Sequence, residues 1–96
     1  ATEVPLACAR LCAEVIELCW IAADQGNQNA ITDAGVGALA AQAALQSCAL
    51  NVTANLDAIQ DQEFARACRA ELDRLLAAQH HKVEAILQAI TTRLAR

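Results

Sequence analysis

The stretch AGVGALAAQAALQSCALNVTANL, residues 34–56, decides the fold, because it continues for 23 residues without a charged side chain. Its length would permit a membrane span, but polar side chains interrupt it and many alanines lower its hydrophobicity. The interruptions are Gln42, Gln46, Ser47, Asn51, Thr53 and Asn55. A helix that is apolar all round is a buried one, so the stretch predicts a central helix surrounded by other helices. Gly35 and Gly37 weaken it by about 1 kcal/mol each relative to alanine, which favours close approach of another backbone or a ligand.

The composition predicts that the rest of the chain is helical too. Hydrophobic residues make up 56 % of the 96 residues and aromatic residues only 2 %, so the apolar content is mostly small and aliphatic. Three glycines and one proline are too few for the many turns of an all-β chain. We therefore expect one all-α domain, an antiparallel bundle of three long helices.

The first helix is predicted from Pro5 to Asp24. Pro5 fits the opening turn, where its missing N–H would have no partner, and Thr2 is a candidate cap. Apolar residues recur at helical spacing on one face, while charged residues collect on another. The apolar face holds Cys8, Leu11, Cys12, Val15, Leu18, Cys19 and Ala22.

The segment from Gln25 to Ala30 is predicted to connect the first two helices. Gly26 can close the first helix in the left-handed conformation. Thr32 is expected to cap the second helix, with Asp33 in its first turn, where the helix dipole favours a carboxylate.

A second break is expected at Asp57 to Gln60, with Asp57 or Asp61 capping a third helix that extends to about Ala95. Apolar positions on this helix alternate in steps of four and three, which is a heptad seam. The seam consists of Leu72, Leu76, Gln79, Val83, Ile86 and Ile90. It could pack against the first helix, another subunit or both. Three such helices carry more apolar surface than they would normally hide, so we expect completion by oligomerisation or a companion chain.

The charge pattern argues against several classes of function. The net charge is −4 and the seven basic residues form no run, which disfavours nucleic acid and anionic membranes as partners. The amino terminus lacks the pattern of a signal peptide. Five cysteines without a CxxC motif signal neither a disulfide framework nor a zinc site, so reduced thiols in a cytoplasmic protein are expected.

Cysteine and histidine provide no clear catalytic constellation. Cys8, Cys12 and Cys19 share one stripe of the first helix, where small buried residues filling tight contacts are expected. His80 and His81 are adjacent and point to different faces of a helix, as solvated or seam-edge histidines would. No metal ligand set is predicted.

The polar turn DQGNQNAITDAGVG, residues 24–37, is the candidate site. Its amides and hydroxyls could be capping groups alone. However, two further asparagines lie four residues apart on one face of the following helix. Neutral hydrogen-bonding groups on an apolar surface suit a flat, uncharged heterocycle better than a phosphate. The residues concerned are Asn27, Asn29, Thr32, Asp33, Asn51 and Asn55.

The string GNQNAITDAGVGALAAQAALQSCALNVTANL, residues 26–56, resembles the formiminotransferase-cyclodeaminase family. That family's pattern reads GN, one residue, N, then a helix with S/T-D-A-G-V that ends in A-L-N-V and a further asparagine. The preceding ATEVPLACARLCAEVIELC is similar to the family's upstream helix, and the methenyltetrahydrofolate cyclohydrolase branch is the nearest. The resemblance covers Ala1 to about Phe64. It implies that residues 1–96 correspond to the C-terminal half of the family's domain.

The resemblance implies a dimerising helical bundle that acts on one-carbon tetrahydrofolates without a metal or other cofactor. It implies hydrolysis of methenyltetrahydrofolate to formyltetrahydrofolate, or closure of formiminotetrahydrofolate with loss of ammonia. Asp33 is then the expected catalytic group, and the substrate-binding residues are Asn27, Asn29, Thr32, Asn51 and Asn55. The family's Gly-rich segment and earlier helices have no counterpart here. A non-catalytic oligomer that associates through the long seam is the alternative.

Overall fold

The described part of the chain folds as three helices. A computed structural model describes residues 3–25 and 28–95, with the side chains of residues 25, 28 and 29 outside that description. Helix α1 spans Glu3–Gln25, α2 spans Gln28–Leu56 and α3 spans Gln62–Leu94. No strand occurs in the described ranges, so the prediction of an all-α fold with three long helices is confirmed.

The contacts between the helices define an up-down-up bundle, 54 × 17 × 16 Å in extent. Between α1 and α2, Cys19 lies opposite Gly37, and between α2 and α3, Gly35 lies opposite Ile90, so both pairs run antiparallel. The first and last helices run parallel. Arg10 contacts Glu71, Glu17 contacts Lys82, and the Ala23 carbonyl accepts a hydrogen bond from Arg93.

Helix α2 begins earlier than the sequence predicts, and the proposed Thr32 cap is wrong. The helix is already formed at Gln28, which makes Thr32 its fifth residue. Ile31 is fully buried, and only a continuous helix places it on the same stripe as Ala34 and Ala38. Burial of Ile31 therefore favours a helix that begins before the expected start at Thr32. The predicted closing residue Gly26 and cap Thr2 lie outside the described residues.

The start of α3 agrees with one of the two predicted caps. The Asp61 carboxylate accepts a hydrogen bond from the Phe64 backbone N–H at 3.1 Å, and Asp61 itself has extended backbone angles. This satisfies one of the N–H groups that a helix leaves without an internal partner.

The heptad seam of α3 forms much of the core, which decides between the packing partners that the sequence left open. Five of its six positions are buried and Leu76 is half-buried, all against the other two helices of the same chain. The seam therefore packs within the chain and is not a free surface for association.

The two glycines of α2 allow the neighbouring helices to approach. A β-carbon at Gly35 would lie 2.7 Å from Ile90 Cδ1, and one at Gly37 would lie 3.3 Å from Cys19 Sγ. Contacts with side chains of α1 and α3 thus account for both glycines, without a ligand.

The apolar face predicted for α1 is not its buried face, because the larger side chains of the predicted face are exposed. The buried stripe consists of Leu6, Ala9, Ala13, Ile16 and Ala23. The opposite face carries Val4, Cys8, Leu11, Val15, Leu18 and Ala22, spaced by alternating steps of four and three and all exposed. We call these six residues the outer seam of α1. Leu11 is 60 % exposed and Leu18 is 65 % exposed.

Helix α2 has an exposed apolar stripe as well, so it is not enclosed on all sides within this chain. Its buried stripe faces α1 and α3, while the opposite stripe, which we call the outer seam of α2, is open to solvent. That seam consists of Val36, Ala40, Ala43, Ser47, Leu50 and Ala54. Helix α3, by contrast, carries half of the charged residues of the chain, and most of those on α3 are exposed. The apolar excess predicted from the sequence is therefore concentrated on α1 and α2.

Gln79 is the one polar side chain buried among the described residues. Its Oε1 atom has no hydrogen-bond donor among them. An unsatisfied buried carbonyl oxygen costs about 1–3 kcal/mol, so Gln79→Leu is expected to raise the free energy of unfolding by roughly that amount. Urea unfolding of both chains measures the difference. Ala78→Leu, on the exposed side, serves as the control and should change stability by less than about 0.5 kcal/mol.

Candidate functional site

The predicted polar turn lies at the start of α2, and the structure describes part of it. Thr32 and Asp33 are exposed side chains in the second turn of the helix. Asn29 is helical in its backbone, but its side chain lies outside the described part, and Asn27 lies outside it altogether. Asp33 is the single charged residue of α2. A carboxylate open to solvent and near a helix start can bind a cation or accept a proton from water.

The two asparagines assigned to the same site lie at the other end of α2. Asn51 follows Asp33 by 18 positions, which corresponds to about 27 Å along a helix at 1.5 Å per residue. Asn51 is exposed and Asn55 is half-buried. The chain therefore does not bring Asp33 and these asparagines together into one pocket.

A small groove surrounds the two asparagines. Its volume is about 400 Å³, and it lies between the start of α1 and the end of α2. The lining residues are Val4, Pro5, Cys8, Cys48, Asn51, Ala54 and Asn55. Apolar walls with two amides can hold an uncharged polar group of a ligand.

A larger groove, which the sequence analysis did not find, lies between α2 and α3. Its volume is about 700 Å³, with an apolar floor and a polar rim of Gln42, Gln46, Thr53, Asp73 and His80. The Gln42 side-chain amide nitrogen lies 3.0 Å from Nδ1 of His80, within hydrogen-bonding distance. The sequence pattern that could have indicated this groove is the spacing of Gln42, Gln46 and Thr53 on one face of α2. The sequence analysis interpreted these residues only as interruptions of an apolar helix.

The shorter of the two ion pairs between described side chains lies outside both grooves. Arg10 forms two hydrogen bonds to the Glu71 carboxylate, at 2.6 and 2.8 Å, and so ties α1 to α3. The hydrogen bonds from Arg10 lower the pKa of Glu71 against the opposing effect of partial burial. Within residues 3–25 and 28–95, no cluster of three or more histidine, cysteine or acidic side chains could hold a metal ion. No helix in those ranges is long and apolar enough to cross a membrane.

Comparison with known families agrees with the motif around Asp33. The family model described as formiminotransferase-cyclodeaminase matches residues 1–74, which include all of α1 and α2 and the start of α3. The chain belongs to the formiminotransferase-cyclodeaminase family. The match extends ten residues past the region that the motif alone indicated.

One relative is similar over nearly the whole chain. It is a protein of Methylorubrum extorquens named methenyltetrahydrofolate cyclohydrolase, 46 % identical over 94 residues. The alignment covers 98 % of this chain and 45 % of the relative. The chain therefore spans about half the length of this relative.

Proposed function

We propose that this chain is the C-terminal half of a methenyltetrahydrofolate cyclohydrolase domain and takes part in the hydrolysis of methenyltetrahydrofolate to formyltetrahydrofolate. The observation that carries the proposal is the 46 % identity to the cyclohydrolase of Methylorubrum extorquens over 98 % of the chain. A cytoplasmic location and independence from metals and cofactors belong to the same proposal. The substrate is the folate itself.

The reaction requires water activation beside a positively charged carbon. Water attacks the methenyl carbon, which bridges two nitrogens and shares their positive charge, and loses a proton to a base. The bond from this carbon to one nitrogen then breaks, and that nitrogen takes up a proton. A carboxylate can both stabilise the cation before attack and accept the proton of water.

Asp33 is the residue we assign to this role. It is the single charged residue of α2 and is exposed, so it can reach a ligand that lies outside the three helices. Asn27, Asn29 and Thr32 flank it in sequence and are proposed to bind the substrate there. Because Asn51 and Asn55 lie about 27 Å or more away along α2, we propose that they contact a different part of the assembly.

The site is completed by further helices that cover the outer seams. Exposed leucines and valines lie at heptad spacing on α1, and a second exposed apolar stripe lies on α2, which a monomeric soluble protein rarely leaves open. The matched relative has more than half of its length outside the alignment. We propose that helices equivalent to that unmatched part, in the same or a separate chain, pack on the outer seams and bring the missing site residues to Asp33.

Two alternatives remain distinct from this proposal. Cyclodeamination of formiminotetrahydrofolate would use the same carboxylate, and the family name includes that activity. The purely structural alternative, association through the heptad seam of α3, loses its support because that seam is buried within the chain.

A reconstitution assay tests the proposal. The 96-residue chain is co-expressed with the unmatched part of the Methylorubrum extorquens relative, and the purified mixture receives methenyltetrahydrofolate or formiminotetrahydrofolate. We expect faster loss of the methenyl chromophore than with either part alone. Ammonia release from the formimino substrate would instead assign cyclodeamination. A stable complex that converts neither substrate would refute the enzymatic proposal.

A further inference from the structure

Three of the five cysteines meet at the contact between α1 and α2. Cys8 and Cys12 lie one turn apart on α1, and Cys48 of α2 lies near both thiols. Cys8 and Cys48 also line the same small groove. The shared groove therefore places the Cys8 and Cys48 side chains beside each other.

The three thiols differ in their access to solvent. Cys8 is exposed, whereas Cys12 and Cys48 are half-buried, and all three are free. Burial, together with the two neighbouring thiols, raises the pKa of Cys48. An oxidant from solvent thus reaches Cys8 first, while Cys48 stays protected beside it.

We propose that Cys8 and Cys48 form a redox-sensitive pair that closes into a disulfide between α1 and α2 when the chain meets a hydroperoxide. The proposal is independent of the proposed folate chemistry. It concerns the chain with its outer seam uncovered, because Cys8 belongs to that seam. A transient disulfide of this kind is compatible with a reducing compartment, where cytosolic disulfides are usually regulatory.

The chemistry proceeds in two steps. The Cys8 thiolate attacks the peroxide, the O–O bond breaks, and Cys8 becomes a sulfenic acid while the other oxygen leaves as water or an alcohol. The Cys48 thiolate then attacks the Cys8 sulfur, the S–S bond forms, and the sulfenic oxygen leaves as water after taking up a proton. The two thiols together lose two electrons, and the hydroperoxide accepts them.

Peptide mapping of the oxidised chain tests the pairing. Trypsin cuts after Arg10 and next after Arg66, so Cys8 lies in residues 1–10, while Cys12, Cys19 and Cys48 lie in residues 11–66. After treatment with hydrogen peroxide and blocking of free thiols, we expect the two peptides to be joined, and to separate on reduction. A bond closed inside residues 11–66, or a bond between two chains, would overturn the proposal.

Matched variants separate the proposed pair from general thiol oxidation. Cys8→Ser and Cys48→Ser should each abolish the link, and Cys8 is exposed, so its replacement should leave the fold unchanged. Cys19→Ser is the control, since Cys19 also lies half-buried between α1 and α2 but faces Gly37, and the link should persist. The disulfide should raise the midpoint of thermal unfolding by on the order of 10 °C, because it constrains the unfolded chain. A link that persists in Cys48→Ser would contradict the assignment.

Discussion

Replacement of Asp33 by asparagine is expected to lower the turnover of the reconstituted enzyme by about 100-fold or more while the fold is retained. A positioned acid or base typically contributes about 10²–10⁴-fold to a rate. Asparagine has nearly the same shape but carries no charge and is a much weaker base. The reduction should appear in kcat and in kcat/KM for methenyltetrahydrofolate, measured by steady-state kinetics.

The effect on stability should be small, because Asp33 is exposed. It is the sixth residue of α2, so its interaction with the helix dipole is weaker than at the first turn, and its loss should cost less than about 1 kcal/mol. Asp57→Asn is the matched control. It removes the same charge from an exposed position just beyond the other end of α2 and should leave turnover unchanged. Normal turnover in Asp33→Asn would show that Asp33 has no catalytic role.

The sequence predicted the number and type of helices because their signals are local. Asp61 could be identified as a cap from its place before an apolar period, and the seam of α3 from the alternation of four and three. The start of α2 was missed since it depends on a distant contact. Thr32 is a good local cap, but burial of Ile31 against the other helices outweighs that preference.

The candidate site was harder to predict than the fold. Sequence motifs group residues by pattern, and this pattern joined Asp33 to Asn51, which a straight helix keeps about 27 Å apart. The groove that contains Gln42 and His80 joins residues separated by 38 positions, and only the packing of α2 against α3 reveals it. The apolar periodicity of α1 was recognised correctly, but periodicity does not say which of two apolar faces turns toward the chain's own core.

The exposed outer seam of α1 is the site of the second substitution for which we expect a large effect, in this case on binding. Leu18→Asp, in the outer seam of α1, should weaken binding of the companion helices by about 100-fold or more. Leu18 is 65 % exposed in the chain alone, so the substitution should change the chain's own stability by less than about 0.7 kcal/mol, mainly through helix propensity. In the assembly, by contrast, the carboxylate would be buried in an apolar contact without a partner, which costs several kcal/mol.

Sedimentation and titration calorimetry with the unmatched part of the Methylorubrum extorquens relative measure the effect. Leu94→Asp is the control, because Leu94 is also exposed but lies at the end of α3 and belongs to neither outer seam. Binding that is equally strong in both variants would show that the companion does not use the outer seam. If the chain alone forms dimers that Leu18→Asp disrupts, a second copy occupies the seam. In either case turnover should follow assembly, since Asp33 is exposed and we propose that the covering helices supply the residues that complete its pocket.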